Sequence, residues 1–478
     1  MPRAETGRPD VQKFDTADSW TQAWTVKREQ GWETLLVDGD ADGLHTILYH
    51  PTDCRYQVIR LNPGASVSLP LPAEIGIGES ITSLQLAVES LPWLHWRQAY
   101  RDRSVLGKGI FTYPLGPVRG DVAESVFYRL QVMGDDIVRL TVENGFKRRS
   151  IRELCRGRSI ADALLLVERM TTTSTVAHAL AYSLAVEDCL GVRIAPETSA
   201  TRVLAAEMER LVSHAGDLAT LAVSTGLSVP QMEYLSCKES VLRVNFDLFG
   251  HRYLRGVIRP GGAAALRDHA PSNDELASAH LRLVKLLNQM RSVKEDLLRT
   301  PSFLDRLHGA GTIPEQTREF VRPVGPIGRS VGRSIDARKA HPYLMYADLR
   351  FEVPERFTGD AFARYVVKAE EFEESFSIVL QLLSAPESLG FEAQDLSSVA
   401  ESGLTEKREA TAWVEAPRGL MAYRVVLTGD CRVDHVGIAT PSQRNWYAFA
   451  PAVANHNILQ DFPIIDASFH LSVAGWDG

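Results

Sequence analysis

The chain has 478 residues, of which 45% are hydrophobic and 23% are charged, and these ordinary values for a globular protein argue against extended disorder. Its 60 acidic and 52 basic residues give a formal net charge of −8, which argues against a nucleic-acid-binding protein because such proteins present a strongly basic surface. At about 150 residues per domain, the length predicts roughly three structural units.

The first 110 residues predict a small α/β domain. Short β-rich runs, separated by Asp, Gly and Pro, occur at residues 33–37, 45–49 and 56–61. An aromatic and arginine-rich stretch at 91–106 predicts a helix, and the Pro- and Gly-rich segment 113–121 predicts a boundary. The N-terminus has charges of both signs and no apolar stretch, so no secretory signal peptide is expected.

The remainder, residues 111–478, predicts a larger and mostly helical domain with small antiparallel sheets. A Gly/Asp turn at 134–136 between two β-rich runs predicts a hairpin. Helical periodicity follows, with a long helix beginning at Pro196 and another helix at 360–384. Three further β-rich runs come near the C-terminus. The fold class that we expect is therefore α+β in two domains, 1–110 and 111–478.

Motifs for several common chemistries do not occur in the sequence. It contains no GxxxxGK[ST] phosphate loop, no HExxH zinc helix and no GxSxG nucleophile. Its cysteines are spaced singly, without any CxxC pair, at Cys54, Cys155, Cys189, Cys237 and Cys431. We expect them to be reduced and mostly buried thiols in a cytosolic protein.

One helix gathers polar groups. Glu207, Arg210, His214 and Asp217 are spaced so that they share a face of the helix after Pro196. By itself this pattern is typical of a solvated helix face supported by weak side-chain pairs. The residues alone therefore indicate only a soluble α+β protein.

A set of sequence blocks nevertheless follows a known order. These blocks are 145–154, 168–170, 178–219, 256–262, 306–313, 324–346, 359–365, 414–423 and 462–469. They resemble the large subunit of respiratory complex I and, equally, the catalytic subunit of membrane-bound, energy-converting [NiFe] hydrogenases of the hydrogenase-4 or formate hydrogenlyase type. Residues 80–107 are similar to the small partner subunit that is fused to the large subunit in some members.

The resemblance also exposes departures from the hydrogenases. Their nickel and iron are held by two Cys-x-x-Cys pairs, and the resemblance places Thr171 and Ser174 at the first pair and Ser472 and Gly475 at the second. Hydroxyl groups and a glycine cannot replace soft thiolates at such a centre. We therefore expect no metal site in this chain. The run from Thr171 to Ser174 is also compatible with the start of a helix.

The quinone-binding residues of complex I are missing as well. The resemblance implies a histidine and a tyrosine where Arg119 and Thr172 stand. No catalytic residue can be assigned, but a candidate polar shell remains: Arg149, Arg169, Glu207, Arg210, His214 and Arg259. Either this shell keeps a role in electron or proton coupling, or its charges persist because they satisfy each other in a polar interior.

The function that the resemblance implies is that of a large-subunit homologue in a membrane-associated, ion-translocating oxidoreductase complex. It would dock on a small subunit carrying an iron–sulfur cluster and, with it, on antiporter-like membrane-arm subunits at the inner, cytoplasmic face of the cell membrane. The chain itself would bind no cofactor; NAD and quinone enter only through the family. Two alternatives stay open, a non-catalytic scaffold subunit and a new small-molecule site near Thr171–Ser174. Whether the complex turns over is also open.

Overall fold

The computed structural model describes residues 11–14, 22–24, 26–27, 30, 32–40, 43–50, 55–61, 105, 107–118, 124–394, 396 and 407–477. Four features of the sequence fall outside these residues: almost all of the helix predicted at 91–106, almost all of the similarity to the small partner subunit at 80–107, Cys54 and Arg119.

The chain divides into two compact units. One consists of Met1–Arg103 with Gly437–Ala439, and the other of Ser104–Val436 with Thr440–Gly478. The sequence placed this division slightly later, between residues 110 and 111.

The smaller unit contains a four-stranded sheet in the order β1-β4-β3-β2. Its strands are β1 (Val11–Phe14), β2 (Glu33–Asp40), β3 (Gly43–His50) and β4 (Arg55–Leu61). The last three contain the β-rich runs that the sequence predicted, and they pair antiparallel, whereas β1 joins β4 in parallel. Ile47, Leu48 and Ile59 are buried and supply the apolar contacts of this sheet.

The remaining strands of the chain form three small antiparallel sheets. Their strands are β5 (Ile110–Leu115), β6 (Phe127–Met133) and β7 (Asp136–Glu143), then β8 (Ile258–Arg259) and β9 (Gly262–Ala263), then β10 (Arg408–Ala416), β11 (Gly419–Leu427) and β12 (Val433–Ala439). The predicted hairpin is confirmed, because Met133 pairs with Asp136 across a tight turn in which Gly134 has φ of 62°.

Helices make up most of the larger unit. They are α1 (Ile151–Cys155), α2 (Ile160–Val167), α3 (Thr175–Leu190), α4 (Pro196–Ser224), α5 (Ser228–Phe249), α6 (Asn273–Leu298), α7 (Pro301–Leu307), α8 (Glu315–Val321), α9 (Gly325–Arg329), α10 (Ala337–Ala340), α11 (Ala361–Leu383), α12 (Pro441–Val453), α13 (Phe462–Phe469) and α14 (Ala474–Asp477). Mixed helices and small antiparallel sheets confirm the α+β prediction.

The centre of this unit is helix α4. It begins at Pro196, as predicted, because proline suits the first turn of a helix. Val203, Met208, Leu211 and Leu218 are buried on it, and it packs against α5 and α11. Helix α3 packs on β10 and β11, so the sheet covers the other side of the helical core.

A buried ion pair ties α3, α4 and the β8–β9 ribbon together. Both terminal nitrogens of Arg202 donate to the Glu187 carboxylate, at 3.0 and 2.5 Å. The same guanidinium donates to the carbonyl oxygen of Gly262, and Glu187 accepts the backbone N–H of Gly261 at 2.7 Å. Arg202 is fully buried, so its charge depends on this one carboxylate and on backbone carbonyl groups.

We therefore expect Arg202→Met to lower the free energy of unfolding by about 3–5 kcal/mol, because it leaves the buried Glu187 charge without its counter-ion. Urea unfolding of the purified chain measures this loss. Arg252→Met is the matched control, since Arg252 pairs with Glu239 at the exposed surface, where water replaces the lost partner. Equal losses in the two variants would contradict the assignment.

Candidate functional site

The polar face of α4 is buried. Glu207, Arg210 and His214 have no exposed surface, and Asp217 retains 3%. The interpretation of this face as solvated is therefore wrong. Segments distant in sequence cover the face and supply a partner for each charge, which a helical pattern alone cannot reveal.

Glu207 is the first centre of a buried ion-pair network. Its carboxylate accepts hydrogen bonds from Arg338 at 3.0 Å, Arg210 at 3.2 Å, the Tyr346 hydroxyl at 2.6 Å and the Ser375 hydroxyl at 2.8 Å. Burial alone would raise the pKa of Glu207, but the two guanidinium groups outweigh it and the pKa is lowered. Glu207 is therefore an ionised carboxylate with four donors.

Arg329 is the second centre of the same network. Its guanidinium donates to Glu371 at 2.5 Å and to Glu415 at 2.9 Å, and it lies 3.5 Å from Asp336. His214 contacts the other oxygen of Glu371 at 3.1 Å. Burial opposes ionisation of Glu371, yet Arg329 and His214 lower its pKa to about 2. Burial also lowers the pKa of His214, so this imidazole is neutral near pH 7.

The charges of this network do not balance when every carboxylate is ionised. Four carboxylates, Glu207, Asp336, Glu371 and Glu415, face three guanidinium groups, those of Arg210, Arg329 and Arg338. Burial, together with the nearby Asp336 charge, raises the pKa of Glu415 to about 7. Among these four carboxyl groups, Glu415 is therefore the one that takes up a proton most readily near neutral pH.

A second cluster surrounds Asp217. Its carboxylate lies 3.0 Å from Nε2 of His470, 3.1 Å from the Lys368 ammonium and 3.7 Å from Nη2 of Arg418. Lys368 also donates to the carbonyl oxygen of Ser468 at 3.0 Å. Burial would raise the pKa of Asp217, but His470, Lys368 and Arg418 hold it well below its usual range. We call Asp217, Lys368, Arg418, His470 and Thr173 the Arg418 cluster.

The loop at Thr171–Ser174 leads into helix α3. Ser174 occupies the position that caps the helix, but its side chain makes no capping bond. The Glu209 carboxylate from α4 caps α3 instead, accepting the backbone N–H groups of Val176 at 2.5 Å and Ala177 at 3.0 Å. Burial raises the pKa of Glu209 to about 8 despite these two donors. The predicted helix start is therefore correct, although its capping group comes from another helix.

Thr171 is committed to an internal hydrogen bond. Its hydroxyl lies 3.0 Å from Nε2 of His178, whose Nδ1 lies 2.6 Å from the Tyr423 hydroxyl. Burial lowers the pKa of His178 to about 3, so the imidazole is neutral and connects two hydroxyl groups. Thr171 and His178 thus join the loop to the β11 strand.

Ser472 and Gly475 form the start of the short helix α14. The Ser472 hydroxyl accepts the N–H of Gly475 at 3.1 Å and donates to Glu124 at 3.2 Å. Arg418 brings this segment towards the Thr171–Ser174 loop, because it donates to the His470 carbonyl oxygen at 2.7 Å and to the Thr173 hydroxyl. Arg418 itself occupies the tight turn between β10 and β11, where Ala416 pairs with Gly419.

The donor set at these four positions does not suit nickel or iron. Thr171, Ser174 and Ser472 offer neutral hydroxyl groups, and Gly475 has no side chain, whereas such metals take soft thiolates. Across the described part of the chain, no group of three or more His, Cys, Asp or Glu residues is arranged to hold a metal ion.

The structure buries some residues of the predicted polar shell together and leaves others at the surface. Glu207, Arg210 and His214 share the buried network, but the side chain of Arg169 is 50% exposed and Arg259 is exposed on β8. Arg149 is half-buried and donates to the carbonyl oxygens of Arg169 and Met170, at 2.8 and 2.5 Å, so it shapes the chain just before Thr171.

Several residues of the two clusters were not singled out from the sequence: Arg329, Asp336, Arg338, Lys368, Glu371, Glu415, Arg418 and His470. The available signal was weak. Arg329, Asp336, Arg338, Glu415 and Arg418 fall within the sequence blocks 324–346 and 414–423, but within those blocks nothing distinguishes a buried charge from an exposed one.

We expect Glu415→Gln to flatten the pH dependence of stability. The folded chain holds the Glu415 proton more tightly than the unfolded chain, whose pKa is near 4.5, so this stabilisation is complete below that pH and is lost as the pH rises through about 7. Thermal unfolding from about pH 5 to pH 8 should show a smaller fall in Tm for the variant than for the native chain.

The matched control is Glu371→Gln, which removes an ionised carboxylate from Arg329 and should lower the free energy of unfolding by about 3–5 kcal/mol at every pH in that range. A Glu415→Gln variant whose Tm falls with pH as steeply as that of the native chain would refute the assignment of the proton.

Comparison with known proteins finds similar sequences among respiratory NADH dehydrogenases and hydrogenases. Residues 225–405 match the family described as "Respiratory-chain NADH dehydrogenase, 49 Kd subunit". The chain is 27% identical to the carbon monoxide-induced hydrogenase of Rhodospirillum rubrum over 74% of its own length and 96% of that protein. It is 26% identical to the 49 kDa component of mitochondrial NADH-ubiquinone oxidoreductase from Neurospora crassa, over 70% of this chain and 74% of that one.

A solved structure extends the likeness to the fold. A chain of the membrane-bound sulfane sulfur reductase, an archaeal respiratory membrane complex, superposes with a TM-score of 0.71 at 24% identity. The match covers 78% of this chain and 100% of that chain, so the α+β fold that we expected is confirmed and is shared with a chain of a respiratory membrane complex. The chain is therefore similar, over part of its sequence, to a carbon monoxide-induced hydrogenase and to the 49 kDa subunit of NADH-ubiquinone oxidoreductase.

Proposed function

We propose that the chain is the large-subunit component of a membrane-associated, ion-translocating oxidoreductase complex, that it lacks a [NiFe] centre, and that it docks on an iron–sulfur small subunit. The proposal is supported by the fold shared with a chain of a respiratory membrane complex, together with hydroxyl groups and a glycine at the four positions that the sequence resemblance assigns to the hydrogenase ligands. Both sets of relatives, a hydrogenase and an NADH-ubiquinone oxidoreductase, carry oxidoreductase names, which supports redox work by the complex.

In this proposal the chain holds buried charged side chains in fixed positions and binds no metal. Glu207, Arg329 and Glu415 are held in fixed hydrogen-bonded geometry inside the unit. Such a network can respond to a change of charge in a neighbouring subunit by a change in the protonation of Glu415, whose pKa is raised to about 7. Electron donors and acceptors, including NAD and quinone, would be bound by other subunits.

The location that follows is the inner, cytoplasmic face of the cell membrane, as a peripheral part of a complex with antiporter-like membrane-arm subunits. The relatives include a respiratory membrane complex, which supports this placement. In the segments that the structure covers, no helix combines the length and the apolar composition that crossing a membrane requires.

A non-catalytic scaffold subunit is the second candidate. Thr171 and Ser472 both direct their hydroxyl groups into internal hydrogen bonds, so this region is held together without a bound cofactor. A scaffold of this kind would assemble with the same partners, but the complex would show no turnover that depends on this chain.

The purified chain should contain neither nickel nor iron in stoichiometric amount, because the ligand positions offer no thiolate. Elemental analysis by mass spectrometry measures both metals. The variant that combines Thr171→Cys, Ser174→Cys, Ser472→Cys and Gly475→Cys should still show no hydrogen uptake, because the surrounding hydrogen bonds of His178 and Glu124 are not built for a metal. Stoichiometric nickel in the native chain would refute this part of the proposal.

An affinity-tagged chain expressed in its own cells should co-purify with a subunit that carries an iron–sulfur cluster. Electron paramagnetic resonance of the reduced sample detects the cluster, and mass spectrometry identifies the subunit. Oxidation of a reduced carrier by the same preparation separates the oxidoreductase from the scaffold, which would assemble without turnover. A monodisperse chain that brings down no cluster-bearing subunit would contradict both candidates.

A further inference from the structure

The Arg418 cluster has more positive than negative charge available to a ligand. Arg418 and Lys368 both face the Asp217 carboxylate, which His470 also contacts. A second carboxylate that acts on Arg418 is that of Glu209, but both of its oxygens accept backbone N–H groups of α3. One carboxylate thus serves two cations, an arrangement that favours a further anion.

Arg418 also keeps hydrogen-bond donors available to a ligand. Its Nε donates to the His470 carbonyl oxygen and its Nη1 donates to Thr173. Within the described residues, its Nη2 has the 3.7 Å ion pair with Asp217, which is too long for a hydrogen bond. A guanidinium N–H in this state can donate a charge-assisted hydrogen bond to one oxygen of a carboxylate.

Two buried hydroxyl groups belong to residues that are close in the chain to members of the cluster, and they support the same conclusion. Ser213 lies on α4 one helical turn after Glu209 and one turn before Asp217, and its side chain is 4% exposed. Thr175, the first residue of α3, is 1% exposed. Among the residues that the structure describes, neither hydroxyl oxygen has a hydrogen-bond partner. A buried hydroxyl without a partner is costly, so a ligand that accepts its proton would be stabilised.

The cluster is reachable from solvent. The side chain of His470 is 26% exposed and that of Arg418 is 10% exposed, while Thr172 next to Thr173 is exposed. Asp217 and Lys368 are almost fully buried, so a ligand from solvent would meet the cluster at Arg418 and His470.

We propose that the Arg418 cluster binds a small carboxylate anion, with Arg418 Nη2 and the Ser213 hydroxyl as its donors. This goes beyond the role of the chain as a complex subunit, and it gives the region around Thr171–Ser174 a ligand that needs no thiolate. The ion is held by charge and hydrogen bonds alone, and no covalent step is involved.

Isothermal titration calorimetry of the purified full chain tests the proposal, with sodium acetate as the probe and sodium chloride at equal ionic strength as the reference. The native chain should bind acetate saturably with one class of site. Ser213→Ala should weaken acetate binding about 10-fold through the loss of one donor to a charged group. Arg418→Met, which removes both the positive charge and the Nη2 donor, should abolish it.

The matched control is Ser240→Ala, since Ser240 lies on the exposed side of α5 and donates to the carbonyl oxygen of its own helix. It should bind acetate as the native chain does. Arg418 holds two segments together, so the binding result for its variant is interpreted only if that variant unfolds at the temperature of the native chain. If it does not, the Ser213→Ala variant alone tests the proposal. Absence of saturable heat with acetate would overturn the proposal, and so would equal affinities in Ser213→Ala and Ser240→Ala.

The outcome is independent of the partner subunit, since the isolated chain is titrated. A complex that assembles and turns over while acetate fails to bind would remove this proposal alone. Acetate binding by a chain that has no cluster-bearing partner would remove the proposed function alone.

Discussion

The cost of burying charge is the constraint on which the interior of the larger unit depends. A guanidinium or carboxylate that leaves water must find counter-charges and hydrogen bonds, or the fold loses several kcal/mol (on the order of 3–5 for one broken pair). Arg329, Arg338 and Arg202 are all fully buried, and each meets at least one carboxylate at hydrogen-bond distance. These contacts fix the spacing between helices whose apolar surfaces alone would permit small shifts.

Helix α4 serves both clusters because its residues recur at helical spacing. Glu207 and His214 reach one network, whereas Asp217 and Glu209 reach the loop before α3 and the turn that carries Arg418. A displacement of α4 along its axis would therefore disturb both clusters together. This gives the unit a mechanical link between the Arg329 side and the Thr171–Ser174 side, made of one rigid helix.

Local features of the fold were predictable from the sequence, and the charge clusters were not. The start of α4 at Pro196 and the hairpin at Gly134 depend on neighbouring residues, which determine helix starts and tight turns. The partners of Glu207 lie 131 and 168 residues away in the chain, at Arg338 and Ser375, so its burial depends on tertiary packing that periodicity cannot report. Glu371 could not be identified from the sequence for the same reason, because it pairs with His214, 157 residues earlier in the chain.

The capping of α3 by Glu209 bears on how such a protein changes over evolution. The group that satisfies the first N–H groups of α3 lies 33 residues after Val176 and not in the loop that precedes it. The side chains at Thr171–Ser174 are therefore not needed to cap helix α3, and substitutions at these positions do not remove its capping group. Substitutions in this loop can therefore change its chemical groups while helix α3 stays folded. The loop is for that reason a suitable place for a new function, whether it arises by evolution or by design.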